Sequence, residues 1–402
     1  MFLTVGIIAA RVLGAEPLAD PLGGELPAGV RLHFPLFNLL LAPLFDLWDG
    51  VSMLSMSRLT GFIAGLFVLY LVWRFAAAWR RKRDPDAGPP IGLVREGAAL
   101  FVSVLLFAGF VAGGMLWHRP MAALTGVPPS MMSVDFHSHT SASHDVRGTL
   151  MDGFDAASSR RWHARGGFDA SYITDHNTVE GFPRNAVPSL RPLLCPGIEV
   201  SAWRAHIVLL GVGGNVDRAP YSDSLGGTLQ LLRETEQRFG ALSIASLPEY
   251  NRNHWDNLDA FVAAGVDGFE IVNASPKANE FSRARRDSVI ALARAHDLLL
   301  VAVTDSHGWG ATVLAWNLVA VPGWERVPEA ACSRLLANLR DGGTAAVQIV
   351  ERHHLRMDDP WPWLLTPIAV LWETWRALAP LQVVSWIAWI WIIGLVGAYR
   401  RA

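Results

Sequence analysis

The sequence predicts a parallel α/β domain set among membrane-spanning helices, and three observations predict it. Short apolar runs that read as strands alternate with helical runs between about residues 131 and 350. Three apolar stretches of span length lie outside that region. Clusters of His, Asp and Glu stand just after the strand-like runs, where a barrel of alternating strands and helices builds its site.

Composition bounds the reading. The 402 residues leave room for one large domain plus extra segments. The chain is 51% hydrophobic and only 17% charged, with mean hydropathy +0.27, which is too apolar for an ordinary soluble enzyme. Its 17 Trp residues suit membrane interfaces. A net charge of -2 offers no support for binding long nucleic acid. Arg far outnumbers Lys, with only Lys82 and Lys277 present, which points to a bacterial inner membrane. Cys195 and Cys332 form no CxxC pair and are expected as two buried thiols.

The N-terminal segment, 1–57, is apolar. Residues 1–10 are too few to span, and residues 32–56, interrupted by Pro35 and Pro43, read as interfacial. Segment 58–118 holds two spans. Residues 59–79 are apolar apart from Arg74, and Arg80-Arg81-Lys82-Arg83 follow at once. A Pro/Gly linker over 84–92 leads to the second apolar stretch, 97–117. The last segment, 361–402, reads as a Trp-rich interfacial helix over 361–379 and a span over 381–398 ending in Arg400-Arg401. Basic residues stay in the cytoplasm, so both basic groups place residues 119–380 on the extracytoplasmic side.

Domain 131–355 has soluble character. Its expected strands cover 132–136, 170–174, 193–200, 207–212, 241–246, 268–272, 298–304 and 317–321, with helices over 228–239, 256–264 and 282–295. Four motifs stand at strand ends: Asp135-Phe136-His137-Ser138-His139-Thr140, Ile173-Thr174-Asp175-His176, Pro196-Gly197-Ile198-Glu199-Val200 and Thr304-Asp305-Ser306-His307. His137 and His139, two apart in extended chain, project to one face and can reach one ion. Asp305 and His307 repeat that spacing. Imidazoles and carboxylates gathered this way are the ligands that Zn, Mn or Fe ions require. Asp175 reads as orienting a ligand histidine or as a strand-end cap. Arg204, Arg252 and Lys277 read as phosphate clamps or as solvated charges, with Arg204 the one assigned to catalysis. Asp152 and Asp155 read as the solvated face of the domain's first helix, and His163 as a non-ligand.

Over roughly residues 131–310 these motifs resemble the PHP family, named for polymerase and histidinol phosphatase domains. The resemblance implies a distorted (β/α)7 barrel, here flanked by transmembrane helices, that binds two or three divalent ions and hydrolyses phosphoesters. It implies that His137, His139, Glu199 and Asp305 hold one ion, and that the bridging Glu199 with His206 helps hold a second. His176, His307 and one of His144 or Asp145 would hold the third. One position departs from the family. Leu247 stands where a histidine ligand is expected, so Glu249 or His254 substitutes, or one ion is weakly held or absent. The expected activity is membrane-anchored hydrolysis of a small phosphomonoester or phosphodiester, which could be lipid-linked. The alternatives are a nuclease or nucleotide phosphodiesterase and a non-catalytic metal-binding sensory module.

Overall fold

The computed structural model describes residues 2–83, 92–183 and 190–399. The expected linker apart from Gly92, and Arg400-Arg401, lie outside the described residues.

The N-terminal part forms α1 (Phe2–Leu13), β1 (Leu18–Ala19), β2 (Arg31–His33), α2 (Leu36–Leu40) and α3 (Ala42–Ser52). Two long apolar helices follow, α4 (Met56–Arg83) and α5 (Leu93–Leu116), and then β3 (Ala123–Thr125), which pairs with β2. The α/β domain runs β4 (Met131–Asp135), α6 (Ala156–Gly166), β5 (Ala170–Ile173), β6 (Leu193–Ala202), β7 (Ala205–Leu210), α7 (Leu225–Phe239), β8 (Leu242–Ala245), α8 (Leu247–His254), α9 (Leu258–Ala263), β9 (Gly268–Asn273), α10 (Arg283–Ala295), β10 (Leu299–Val303), β11 (Ala315–Ala320), α11 (Ala331–Gly342) and β12 (Val347–Arg352). The chain ends in α12 (Thr366–Arg376) and α13 (Pro380–Tyr399).

The strands form where apolar runs are buried on both faces. All five residues of β10 and all six of β9 are buried, the pattern of a sheet covered on each side. Helix boundaries follow local chemistry. Asp155 accepts from Ser158 N to cap α6, Ser224 from Gly227 N to cap α7, and Ser282 from Arg285 N to cap α10. Asp155 is thus a cap and not merely part of a solvated face.

Ten strands make one curled sheet in the order β1-β12-β11-β4-β5-β6-β7-β8-β9-β10, consistent with a distorted barrel. From β4 to β10 the pairing is parallel except at β7, which runs antiparallel to both neighbours. The expected simple strand–helix alternation fails there because β6 and β7 are joined by a tight turn at Trp203-Arg204 with no helix between them. The far edge curls back to β4. Asp305 N donates to His137 O at 2.9 Å and His139 N to Ser306 O at 2.9 Å. The Asn317 amide bridges Ala302 and Val134 along the same seam.

Three helices among the described residues are long and apolar enough to cross a membrane: Met56–Arg83, Val94–Leu116 and Pro380–Tyr399. Parts of the N- and C-terminal segments pack on the rest of the fold. β1 joins the main sheet beside β12. Helix α12 buries Ala369, Val370 and Trp375 among its neighbours. A buried charge network ties α3 and the segment after α5 to the sheet. Asp49 of α3 accepts from Arg119 at 2.7 Å and from Arg352 of β12 at 2.8 Å.

The cysteines depart from the sequence reading. Cys195 of β6 and Cys332 of α11 are joined in a disulfide, with Cα atoms 5.6 Å apart and 137 residues between them in sequence. Helix α11 packs across β6, a tertiary contact that no local spacing announces.

Candidate metal centre

The site is built from strand ends on one mouth of the sheet. Asp135 closes β4 and accepts hydrogen bonds from His163 Nε2 at 2.9 Å and Thr304 N at 3.1 Å, fastening the β4 and β10 ends together. His137 and His139 follow from β4, His176 from β5, Glu199 and His206 from β6 and β7, and Asp305 and His307 from β10. Asp305 sits at φ 47°, a left-handed conformation costly for a non-glycine residue, held by its backbone bond to His137 O.

Four side-chain atoms converge first. His137 Nε2 lies 3.0 Å from His139 Nε2, 3.1 Å from Glu199 Oε2 and 3.5 Å from Asp305 Oδ1. His139 Nε2 lies 3.3 Å from the same Glu199 oxygen and 3.1 Å from the same Asp305 oxygen. A tetrahedron whose corners are about 2.0–2.1 Å from its centre, the usual zinc–nitrogen distance, has edges of about 3.3–3.4 Å. His137, His139 and Asp305 have facing atoms close to those edge lengths, and Glu199 Oε2 adjoins the two histidines at 3.1 and 3.3 Å. Glu199 continues into a second group, with Oε2 at 3.1 Å from His176 Nδ1 and Oε1 at 2.7 Å from His206 Nδ1. A third group has Asp145 Oδ2 at 3.0 Å from His176 Nε2 and 2.7 Å from His307 Nε2. Three sets of donors lie close enough together to hold a metal ion: His137, His139 and Asp305; His176, Glu199 and His206; and His139, Asp145, His176 and His307.

Burial supports the same fit. Glu199 Oε2, His176 Nδ1 and His139 Nδ1 are buried without a hydrogen-bond partner. A buried polar atom left unpaired costs about 1–3 kcal/mol. A cation would satisfy Glu199 Oε2 and His176 Nδ1 together. Burial opposes charge on His137, but Glu199, Asp305 and Glu270 outweigh it and hold the imidazole well above its usual range. Burial also opposes charge on His307, yet Asp305 and Asp145 push it up to about 9. Burial works against the Glu199 carboxylate, and His206, His137 and His176 more than offset it, holding it well below the usual range.

The structure separates the expected site residues. His144 is exposed, its ring 4.8 Å from that of His176, while the adjacent Asp145 faces the histidines. Asp175 touches no histidine by hydrogen bond. It accepts from Thr140 N at 2.6 Å and Thr140 Oγ1 at 2.7 Å, so it shapes the loop after His139. Burial raises Asp175 to about 6 in spite of those bonds. Gly181 is needed there, since a Cβ would collide with both Asp175 and Thr140. Arg204 lies away from the centre, exposed in the β6–β7 turn with its guanidinium over Trp203. Arg252 is paired with Glu280. Lys277 lines the cavity and pairs with Glu249 at 2.5 Å.

Leu247 is a buried core residue at the start of α8. His254 Nε2 donates to the carbonyls of Trp203 and Arg204, away from the cavity. Glu249 lines the cavity, 3.7 Å from His206 Nδ1, and is the better placed of the two substitutes.

Two functional positions escaped the sequence reading. Glu270, wholly buried in β9, accepts from His137 Nδ1 at 2.7 Å, which turns His137 Nε2 toward the centre. Ser246 and Asn273 hold the other Glu270 oxygen. A carboxylate inside an otherwise apolar buried strand was the available signal, because such a charge requires a partner. Tyr250 donates to His206 Nε2 at 2.8 Å from the cavity wall.

No family model matches the chain. No curated protein matches it. Among solved structures, PsfC from Pseudomonas syringae is similar at 16% identity and TM-score 0.38, covering 61% of this chain and 98% of its own. A protein described as a metal-dependent phosphoesterase from Bifidobacterium adolescentis is similar at 16% identity and TM-score 0.34, covering 44% and 88%. A lesion-specific endonuclease from Pyrococcus furiosus is similar at 14% identity and TM-score 0.29, covering 50% and 56%. Likenesses this remote carry no inference about what the chain does.

Proposed function

We propose that the chain is a membrane-anchored, metal-dependent hydrolase of PHP type that cleaves a phosphomonoester or phosphodiester. The observation that carries this reading is the group His137, His139 and Asp305, whose facing atoms lie 3.0 to 3.5 Å apart, with Glu199 Oε2 3.1 and 3.3 Å from the two histidines. His137, His139, Glu199 and Asp305 would hold one cation, Glu199, His176 and His206 a second, and Asp145, His176 and His307 a third. When bound, such ions supply hydroxide near neutral pH and polarise a phosphoryl oxygen.

The chain's own residues do the rest. Glu270 fixes the tautomer of His137, and Asn273 donates to Asp305 Oδ2 at 3.2 Å, orienting that carboxylate. The Tyr250 hydroxyl is driven upward by burial and by Glu249, so it stays protonated and holds the His206 ring through its bond to Nε2. Lys277 places one positive charge at the rim for an anionic substrate. The cavity, of about 350 Å³, suits a small phosphoester. An extracytoplasmic domain is supported by Arg80 to Arg83 at the distal end of α4 and by the Cys195–Cys332 disulfide, which persists in oxidising compartments.

The test is metal content of the purified protein together with a panel of phosphomonoesters and phosphodiesters in added Mn or Zn. Two or three ions per chain with turnover of at least one class is expected. Bound metal without turnover would favour the metal-binding sensory module, and no bound metal with no turnover would remove both readings.

A further inference from the structure

We propose that the phosphoester is borne by a membrane lipid and enters the metal centre from the bilayer surface. This rests on the phosphoesterase reading above and names the source of its substrate.

The rim of the cavity is built against the domain-side ends of two apolar helices. Ser275 and Lys277 line the cavity, and Pro276 between them accepts from the backbone N of Met56, the first residue of α4, at 2.7 Å. Ser57 N donates to Glu280 at 2.8 Å, and Asn279 donates to Met53 O at 2.7 Å. On another part of the rim, His307 lines the cavity, and Gly310 lies so close to α5 that a Cβ there would fall 2.7 Å from Met115 Cα. The Trp309 ring packs on His118, two residues beyond α5. Two loops that carry site residues are therefore seated where α4 begins and α5 ends.

The surroundings are apolar where a soluble domain would be polar. Met56, Met115, Leu116 and Trp117 are exposed at those helix ends. Leu150 is 78% exposed on the loop whose next residue, Met151, packs on Gly308 beside His307. Exposed apolar groups around a polar mouth fit a surface that meets lipid. The Asp49 network with Arg119 and Arg352 locks this orientation, since it joins α3 and the segment after α5 to β12. A cavity of about 350 Å³ accepts a headgroup and leaves long acyl chains in the bilayer. In the reaction, a water oxygen bonds to phosphorus and the bond from phosphorus to the lipid alcohol oxygen breaks. That oxygen keeps the electron pair and takes a proton.

The experiment uses the full chain, loaded with Mn, in phosphatidylcholine nanodiscs. Phosphatidate and phosphatidylglycerol are compared with their deacylated counterparts, glycerol 3-phosphate and glycerophosphoglycerol, and with p-nitrophenyl phosphate. Turnover of a lipid ester at least tenfold above its deacylated form is expected. Equal or faster turnover of the soluble esters would overturn the lipid proposal and leave the hydrolase intact. Cleavage of none, p-nitrophenyl phosphate included, would overturn the hydrolase reading and the lipid proposal with it. A readout independent of turnover is photolabelling of the metal-free protein by phosphatidate carrying a diazirine near its glycerol. Label is expected within residues 146–151, 275–280 or 307–311, and label confined to the outer faces of the apolar helices would overturn the proposal.

Discussion

Replacing Glu199 by Gln separates a shared metal ligand from a structural carboxylate. Glu199 is buried and its two oxygens face four imidazoles, at 3.1, 3.3, 3.1 and 2.7 Å. Glu270 provides the yardstick. It touches His137 only from behind, at 2.7 Å, and a partner of that kind typically contributes about 10–100-fold to metal affinity. That range is about 1.4–2.8 kcal/mol. Glu199→Gln keeps the shape but removes the charge and one oxygen donor from two groups at once, so it should cost more than about 100-fold, beyond the upper end for a supporting carboxylate. Competition against a chromogenic chelator gives the affinity, elemental analysis the stoichiometry, and circular dichroism the fold. Glu270→Gln should fall within its 10–100-fold band. A folded Glu199→Gln protein that binds metal as well as Glu270→Gln, or turns over phosphoesters like the unmodified chain, would refute the shared-ligand reasoning.

Metal binding should release protons. His307 sits near 9 in the metal-free protein, so it is protonated at pH 7 and an ion must displace that proton; affinity at its group should rise with pH until about 9 and then level off, by up to about tenfold per unit for one displaced proton. Calorimetry in buffers of different ionisation enthalpy checks this, and no buffer dependence would contradict it. Glu249→Ala should lower metal occupancy of the Glu199–His206 group, whereas His254→Ala should leave occupancy unchanged while loosening the Trp203-Arg204 turn. Equal losses in both variants would place His254 at the metal. Cys332→Ser should destabilise the domain by about 2–5 kcal/mol, because the bond closes a long loop in the unfolded chain; chemical denaturation measures it, and an unchanged midpoint would count against the bond. Cysteine placed at the exposed Glu236 should react with an impermeant maleimide in intact cells, and reaction only after lysis would reverse the proposed orientation.

Much of this molecule is written locally. Apolar runs such as Leu299–Val303 mark strands because a residue buried on both faces must be apolar. The motif residues His137, His176, Glu199 and Asp305 end or follow such runs, so their convergence on one mouth follows from shared strand direction. The three long helices are legible because a hydrocarbon core demands about twenty apolar residues in a row. Other features belong to the tertiary structure alone. His144 and Asp145 are adjacent, and only the fold of their loop turns the carboxylate toward His176 and His307. Asp175 reaches Thr140 and not a histidine because the strand ends bring that loop within bonding distance. Glu270 is 133 residues from His137, and Cys195 is 137 from Cys332. The placement of Lys277 and His307 beside the ends of α4 and α5 is likewise a product of docking. Periodicity records what a residue needs within one turn or one pleat. Which distant group supplies it is set by strand order and by the packing of helices on the sheet, and these are properties of the whole chain.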